Sequence, residues 1–298
     1  MSSALDKIKI ARSFSRAANN YDSAAYFQRD MGLELMSMLP AARDISAGLC
    51  CLDLGCGTGF FHRYLTSLYE CVDYFGVDMA EGMLQFFKRS LDKEKSANLL
   101  NVSSNNSSNN SSSIRNKNRT NDFLLCADAE NLSIKNEAVD IVFSNMAVQW
   151  SEDLPALFAE LKRILKPDGA IAFTTLGPKT LIELKQSWQR VDEHVHVNSF
   201  FPLERWLETI QESGFIIETQ RVLMPQLKFD SVNQLLKELK LIGAHNVNKG
   251  RPPGLLGKKC LAKLYLAYEE FKINDYFPAS YEVYFFVIKN INSVNTPT

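Results

Sequence analysis

The chain has 298 residues, of which 46% are hydrophobic and 22% charged, and its formal net charge is −1. This composition is that of a globular protein with a sizeable core, and the balanced charge argues against a nucleic-acid or membrane-surface binder. No apolar run approaches the roughly 18–20 residues that span a bilayer.

The first forty residues predict helix ahead of the first strand. Because the start of the chain has no apolar h-region, it indicates no secretory signal. The six cysteines include no C-x-x-C pair, and most lie in apolar stretches where cysteine behaves as a small hydrophobe. We therefore expect a reduced, cytoplasmic protein without a metal site.

Short apolar runs, each typical of a buried strand, then alternate with helical patterns. The predicted strands are residues 50–54, 73–77, 123–126, 139–144 and 170–175, with helices at 61–69, 81–93 and 154–165. A turn signal, Pro167-Asp168-Gly169, precedes the fifth strand, and two further strands are predicted at 215–220 and 282–289. Strands that alternate with helices predict a doubly wound α/β sheet.

Two additions interrupt this alternation. Residues 96–121 are almost all Ser and Asn, so they cannot bury enough apolar surface to offset the entropy cost of ordering. We predict one domain over residues 1–298, with a disordered insertion at about 96–121. A second, mostly helical insertion at about 176–270 is predicted to form a lid.

The most informative motif, Asp53-Leu-Gly55-Cys-Gly57-Thr-Gly59, follows the first strand and opens a helix. Glycines at alternate positions let the backbone turn sharply and approach a ligand that a Cβ would exclude. The helix N-terminus favours an anionic or carboxylate group, and Asp53 can accept a hydrogen bond from a ligand ammonium. The spacing differs from the G-x-G-x-x-G dinucleotide fingerprint, although NAD remains an alternative ligand.

Ligand-capable residues also follow the next three predicted strands. They are the pairs Asp78-Met79, Asp128-Ala129 and Asn145-Met146. An acidic residue about 20 positions beyond a glycine loop, as Asp78 is, can accept hydrogen bonds from ribose hydroxyls. Asp128 and Ala129 can border an adenine. In an open α/β sheet these strand ends converge on one crevice, which predicts a single binding site.

This D-x-G-C-G-T-G motif with a later acidic residue resembles the class I S-adenosylmethionine (SAM) methyltransferases. The resemblance implies SAM as the co-substrate, bound by the loop and strand-end residues named above. It also implies a Rossmann-like sheet of seven strands, the last of them antiparallel.

Further blocks resemble the BioC-type malonyl-[acyl-carrier protein] O-methyltransferases. They are Ser13-Phe14-Ser-Arg16-Ala-Ala-Asn-Asn-Tyr21, Ser144-Asn145-Met-Ala147-Val148-Gln149-Trp150, residues 172–176, residues 188–200, and residues 239–244 with Gly250-Arg251-Pro252. The resemblance spans nearly the whole chain apart from the Ser/Asn segment. It implies methyl transfer from SAM to the free carboxylate of a malonyl thioester on acyl carrier protein, or on CoA, at the start of pimeloyl and biotin synthesis.

Four residues are candidates for contact with the malonyl carboxylate. Tyr21 comes first, as a gate over the methyl group, followed by Arg16, Trp150 and His196. Arg16 can equally be solvated surface, Trp150 a packing residue of the lid, and His196 a hydrogen-bonded structural residue. No general base is required, because a carboxylate of this kind is ionised at neutral pH.

A basic segment without an acidic residue runs from Lys249 to Lys263. Because acyl carrier proteins are acidic, the segment predicts a docking surface that includes Arg251, Lys258 and Lys259. A solvated loop before a helix is the alternative interpretation.

Three other functions remain open from the sequence. One is a different small-molecule SAM methyltransferase, such as a quinone-pathway enzyme, which needs a base or an activated carbon nucleophile. Another is a mitochondrial assembly factor of the same fold, which would normally carry an Arg-rich presequence. The third is a SAM-binding module without activity.

Overall fold

A computed structural model describes residues 6–40, 48–105, 120–244 and 257–290 of the chain. Its helices are α1 (Lys7–Ala24), α2 (Tyr26–Ser37), α3 (His62–Leu68), α4 (Glu81–Asn105), α5 (Leu154–Ile164), α6 (Ile182–Gln189), α7 (Leu203–Glu212), α8 (Val232–Leu241) and α9 (Lys258–Tyr268). Its strands are β1 (Cys50–Leu54), β2 (Asp73–Asp78), β3 (Asn121–Cys126), β4 (Val139–Asn145), β5 (Leu165–Leu176), β6 (Phe215–Leu223), β7 (Gln226–Phe229), β8 (Phe277–Ser280) and β9 (Val283–Asn290).

Seven of these strands form one sheet in the order β3-β2-β1-β4-β5-β9-β6. Strands β1 to β5 are parallel, whereas β9 runs antiparallel to both β5 and β6. The prediction of a doubly wound, seven-stranded sheet with an antiparallel last strand is confirmed. The strand order reverses between β1 and β4, and an open α/β sheet binds its ligands at such a point.

Helices cover both faces of the sheet, which explains why its central strands are apolar runs. Separate clusters of buried hydrophobic side chains fill the two sides. Helix α5 shows how the sequence builds one of them. Its apolar residues recur at three- and four-residue spacing and are buried, and the side chain of Asp153 caps its start by accepting a hydrogen bond from the amide of Ala156 at 3.0 Å.

Two element boundaries differ from the predicted ones by more than three residues. Helix α4 continues to Asn105 instead of ending at residue 93, so it includes the start of the predicted insertion. Residues 106–119 of that insertion lie outside the described residues. Strand β5 begins at Leu165, and the predicted turn at 167–169 is a bulge inside it: Val139 pairs with Leu165, whereas Ile141 pairs with Ala170. Asp168 has a φ of 65° there, which suits a turn.

The region predicted as a helical lid, 176–270, is divided by the sheet. Helix α6 follows β5, and α7 then leads into β6, which pairs with β9. After β6 come β7, α8 and α9, and β7 pairs with β8 in a separate two-stranded sheet that the sequence did not predict. Helix α8 packs against α1, and α9 against α6. Among the helices of the described ranges, none is both long and apolar enough to cross a membrane.

Candidate functional site

The loop after β1 adopts a backbone conformation that favours glycine at three positions. Gly55, Gly57 and Gly59 have φ angles of 77°, 54° and 83°. A Cβ on Gly55 would lie 2.1 Å from the Cβ of Ala147, and one on Gly59 would lie 2.2 Å from the ring of Phe87. A Cβ on Gly57 would meet no atom of the described residues within 4 Å. Gly55 and Gly59 therefore allow close packing, whereas Gly57 faces open space.

Asp78, at the end of β2, holds this loop in place. Its Oδ2 accepts a hydrogen bond from the amide of Gly57 at 2.9 Å, and its Oδ1 accepts one from the amide of Ala80 at 2.7 Å. Burial raises the pKa of Asp78 to about 6, and these two hydrogen bonds oppose that shift. The carboxylate of Asp78 thus fixes the position of the glycine loop and also lies at the edge of a cavity.

That cavity, which we call the glycine-loop cavity, lies at the carboxyl ends of the parallel strands. It contains about 660 Å³ of space free of protein atoms, part of it open to solvent. Its lining is Ile10, Phe14, Tyr21, Leu54, Gly55, Gly57, Val77, Asp78, Met79, Met83, Ala127, Ala129, Asn145, Met146, Ala147, Val148 and Trp150. Seven of the ten predicted cofactor-binding residues are therefore brought together.

The other three predicted cofactor-binding residues do not line the glycine-loop cavity. Gly59 packs beneath Phe87. The side chain of Asp53 is buried, and its Oδ2 accepts a hydrogen bond from the hydroxyl of Tyr74 at 2.8 Å. Burial raises the pKa of Asp53 to about 7. The carboxylate of Asp128 points toward α1, as described next.

Helix α1 forms one wall of the glycine-loop cavity through Ile10, Phe14 and Tyr21. The ammonium of Lys7 holds the start of this helix, because its Nζ lies 2.7 Å from both Asp128 Oδ2 and Glu130 Oε2. Of these wall residues the sequence singled out only Tyr21. The available signal for the other two was an apolar pair at helical spacing, which indicates a buried face but not what it covers.

A second cavity, which we call the apolar cavity, adjoins the first and contains about 1100 Å³ of space free of protein atoms, part of it open to solvent. Its lining is Phe14, Tyr21, Gln28, Met146, Gln149, Trp150, Leu176, Thr180, Leu181, Leu184, Trp188, His196, Val197, Asn198, Phe200, Leu236, Leu239, Ile242, Ala244 and Tyr281. Within the described ranges, no Asp, Glu, Lys or Arg lines it. It therefore suits a largely uncharged ligand.

The two cavities share Phe14, Tyr21, Met146 and Trp150. The rings of Phe14 and Trp150 meet edge to face at 5.6 Å, and those of Phe14 and Tyr21 are 6.4 Å apart. Burial, with the nearby carboxylates of Asp78 and Asp22, raises the pKa of Tyr21, so its hydroxyl stays protonated and can donate a hydrogen bond. Aromatic faces at this junction also suit a ligand cation.

Of the other two candidates for the malonyl carboxylate, Arg16 is exposed and lines neither cavity. His196 lines the apolar cavity, where its ring stacks on that of Trp188 at 3.7 Å. Its Nε2 is hydrogen-bonded to Asp192 Oδ1 at 2.7 Å. These contacts hold the imidazole in a fixed orientation, as expected of a hydrogen-bonded structural residue.

Three amide side chains in the apolar cavity had no role predicted from the sequence. Gln28 Oε1, Gln149 Oε1 and Asn198 Oδ1 are buried without a hydrogen-bond partner among the described residues. Buried polar atoms are nearly always paired, so unpaired ones in a cavity indicate ligand contacts. Gln149 and Asn198 stood within the family-like blocks, but only their burial and missing partners single them out.

Comparisons with known proteins agree with this geometry. A family model for a methyltransferase domain matches residues 52–173. The chain is 36% identical over 280 residues to a malonyl-[acyl-carrier protein] O-methyltransferase of Gallionella capsiferriformans, with 94% of this chain and 89% of that protein aligned. It is also 36% identical over 293 residues to a biotin biosynthesis bifunctional protein, BioHC, of Cellvibrio japonicus. That match includes 97% of this chain but 51% of the relative, so the chain spans about half the length of the bifunctional proteins it matches.

Among solved structures, a putative methyltransferase from Bacillus halodurans has the same fold. The TM-score is 0.56 at 12% identity, with 88% of this chain and 99% of that chain aligned.

Proposed function

The chain belongs to the malonyl-[acyl-carrier protein] O-methyltransferase family, and on that premise we propose that it methylates the free carboxylate of a malonyl thioester on acyl carrier protein, using SAM. The product is the malonyl methyl ester that begins pimeloyl and biotin synthesis. One observation carries the proposal: the glycine-loop cavity and the apolar cavity meet at Tyr21, Met146 and Trp150. Such a junction lets two ligands face each other across a few side chains.

The residues of the glycine-loop cavity fit SAM. Open space at Gly57 admits a ligand against the backbone, and Asp78 carries acceptor oxygens for ribose hydroxyls. Ala129 and Met79 offer small and apolar surface for an adenine. When bound, SAM supplies an electrophilic methyl group on a sulfonium cation, and the rings of Phe14, Tyr21 and Trp150 can stabilise that positive charge.

The chain's own contribution is mainly binding and orientation. The ionised carboxylate needs no base, and the neutral hydroxyl of Tyr21 can donate a hydrogen bond that orients it. Because the described lining of the apolar cavity includes no Lys or Arg, no salt bridge there weakens the carboxylate as a nucleophile. Alignment of the reacting atoms can account for about 7–11 kcal/mol of the barrier. Exclusion of water by the apolar walls adds to this effect.

The test is an incubation of the protein with SAM labelled in its methyl group and malonyl acyl carrier protein. We expect label in an alkali-labile methyl ester of the malonyl group. Acetyl acyl carrier protein, which lacks the free carboxylate, is the matched control and should gain no label. Absence of label from every malonyl thioester tried would contradict the proposed function.

We further propose that the basic segment docks the carrier protein. Lys258 and Lys259 begin α9 and are exposed, whereas Arg251 lies outside the described residues. Helix α9 packs against α6, whose Leu184 and Trp188 line the apolar cavity. An acidic partner bound there would sit close to the apolar cavity.

Charge reversal at this surface is expected to weaken docking without affecting the reaction. In the double variant Lys258→Glu/Lys259→Glu, the KM for malonyl acyl carrier protein should rise about 3- to 10-fold at low salt, since paired surface charges mainly steer association. The KM for a small malonyl thioester should not change. Lys88→Glu/Lys93→Glu on α4 is the control with the same change of charge. Equal losses on both substrates would contradict docking at α9.

A further inference from the structure

The side-chain amide of Asn198 is buried. Its side chain lies in the loop between α6 and α7, the residue is 5% exposed, and its Oδ1 has no hydrogen-bond partner among the described residues. It lines the apolar cavity, whereas the next residue, Ser199, is exposed. Removing an amide from water without a hydrogen bond costs free energy, so a group that pairs with it when the cavity is filled would explain the burial.

Gln149 presents the same kind of atom to the apolar cavity. Its Nε2 donates to the carbonyl oxygen of Met146 at 2.6 Å, which leaves Oε1 as the free end of the amide. Within the part of the chain that the structure describes, that Oε1 is buried and unpaired, as is Oε1 of Gln28. The apolar cavity therefore offers hydrogen-bond acceptors that require a donor from the ligand.

The malonyl group cannot supply such a donor. Its ionised carboxylate and its thioester carbonyl have only acceptor oxygens. The arm beyond the sulfur is different: in a carrier-protein or CoA thioester it contains secondary amides, each with one N–H donor and one carbonyl acceptor. A primary amide such as that of Asn198 can pair with either group, whichever way it is oriented.

The position of Asn198 also suits the arm. On the side away from the glycine-loop cavity, the apolar cavity shares Trp188, His196, Val197 and Phe200 with a more open cleft, the outer cleft. Three of these four residues belong to the same loop as Asn198. A thioester whose carboxylate reaches Tyr21 would extend its arm past this loop toward the outer cleft.

We propose that Asn198 binds the amide of the thioester arm nearest the sulfur and so selects substrates that carry this arm. The inference rests on the proposed methyltransferase function and adds a specificity-determining residue to it. Gln149, whose side-chain Nε2 donates to the carbonyl oxygen of Met146, presents a second acceptor in the same cavity.

The test compares two small malonyl thioesters of equal length. The N-acetylcysteamine thioester has the amide, whereas the S-pentyl thioester has methylene groups in its place. In the wild-type protein kcat/KM should be about tenfold higher for the first. Asn198→Leu, which is nearly isosteric, should lower the ratio of kcat/KM for the N-acetylcysteamine thioester to that for the S-pentyl thioester about tenfold. Asn198→Ala should show the same change in the ratio.

The ratio is the decisive quantity, because partial unfolding of a variant lowers both rates equally and leaves the ratio intact. Asn233→Leu, an exposed asparagine on α8 that lines neither cavity, is the matched control and should keep the wild-type ratio. An unchanged ratio in both Asn198 variants would overturn the inference. Methylation of neither thioester, nor of malonyl acyl carrier protein, by the wild-type protein would instead overturn the proposed function.

Malonyl-CoA and malonyl acyl carrier protein have the same arm and are assayed alongside. Asn198→Leu should lower kcat/KM on both about tenfold. The thioester with the higher kcat/KM in the wild-type protein is identified as the preferred substrate.

Discussion

Replacing Gly57 with valine is expected to abolish the binding of SAM while leaving the protein folded. The φ of 54° costs a residue with a Cβ about 1–2 kcal/mol, which is small beside the ~5–15 kcal/mol that stabilises a typical domain. Among the described residues, no atom lies within 4 Å of a Cβ at this position, and Gly57 lines the glycine-loop cavity. We expect the Kd for SAM, measured by calorimetry, to rise at least about 100-fold, since the branched side chain takes up the space of the ligand.

Gly214→Val separates this effect from backbone strain. Gly214 has a φ of 72° and lines neither cavity, and among the described residues a Cβ there would approach only the flexible end of Lys162, at 2.7 Å. This variant should lose thermal stability to a similar extent and bind SAM as the wild type does. Binding by Gly57→Val within threefold of the wild-type Kd would count against SAM at this loop.

The free energy of unfolding is expected to fall as pH rises from about 4 to about 7, and Asp53→Asn should remove much of that fall. Burial raises the pKa of Asp53 to about 7 in the folded protein, against 3.8 for the ordinary side chain. The folded state therefore binds the proton more tightly, so this contribution to stability is complete below pH 4 and is lost as pH rises through 7. At about 1.4 kcal/mol per pKa unit the change amounts to at most ~4 kcal/mol.

Urea unfolding at pH 4.5 and pH 8 provides the measurement. Asparagine retains a side-chain oxygen that can accept the hydrogen bond from Tyr74, so Asp53→Asn should be clearly more stable than the wild type at pH 8 and close to it at pH 4.5. Asp230→Asn, at an exposed position, should follow the wild type at both. Parallel pH profiles for the wild type and Asp53→Asn would show that the carboxylate is not the cause.

The sequence predicts the sheet and the backbone of the site better than the direction of individual side chains. The ends of β1, β2 and β4 follow from apolar runs, and with them the positions of Gly57, Asp78 and Asn145 in one cavity. Whether a carboxylate at such an end faces the cavity depends on partners far away in the chain. The carboxylate of Asp128 points toward Lys7, which lies 121 residues earlier in the chain, and no local sequence pattern indicates that contact.

The two-stranded sheet and the apolar cavity could not be predicted from the sequence, for a related reason. Strand β7 has only four residues, and its pairing with β8 joins segments about fifty residues apart, as Leu227 opposite Ala279 illustrates. Short runs of this kind cannot be distinguished from loops by periodicity. The unpaired amides of Gln149 and Asn198 become informative only when burial and missing partners are known.

We expect the ion pairs at Lys7 to make the exchange of SAM depend on the ionic strength of the medium. Because Ile10, Phe14 and Tyr21 of α1 form a wall of the glycine-loop cavity, we expect a bound ligand to dissociate faster when the start of α1 detaches. Lys7 is held there by Asp128 and Glu130, and its side chain is 26% exposed, so added salt screens these contacts. We expect the residence time of the spent co-substrate, S-adenosylhomocysteine, to shorten as salt increases, in stopped-flow measurements. Lys7→Met should shorten it at low salt and remove most of the dependence.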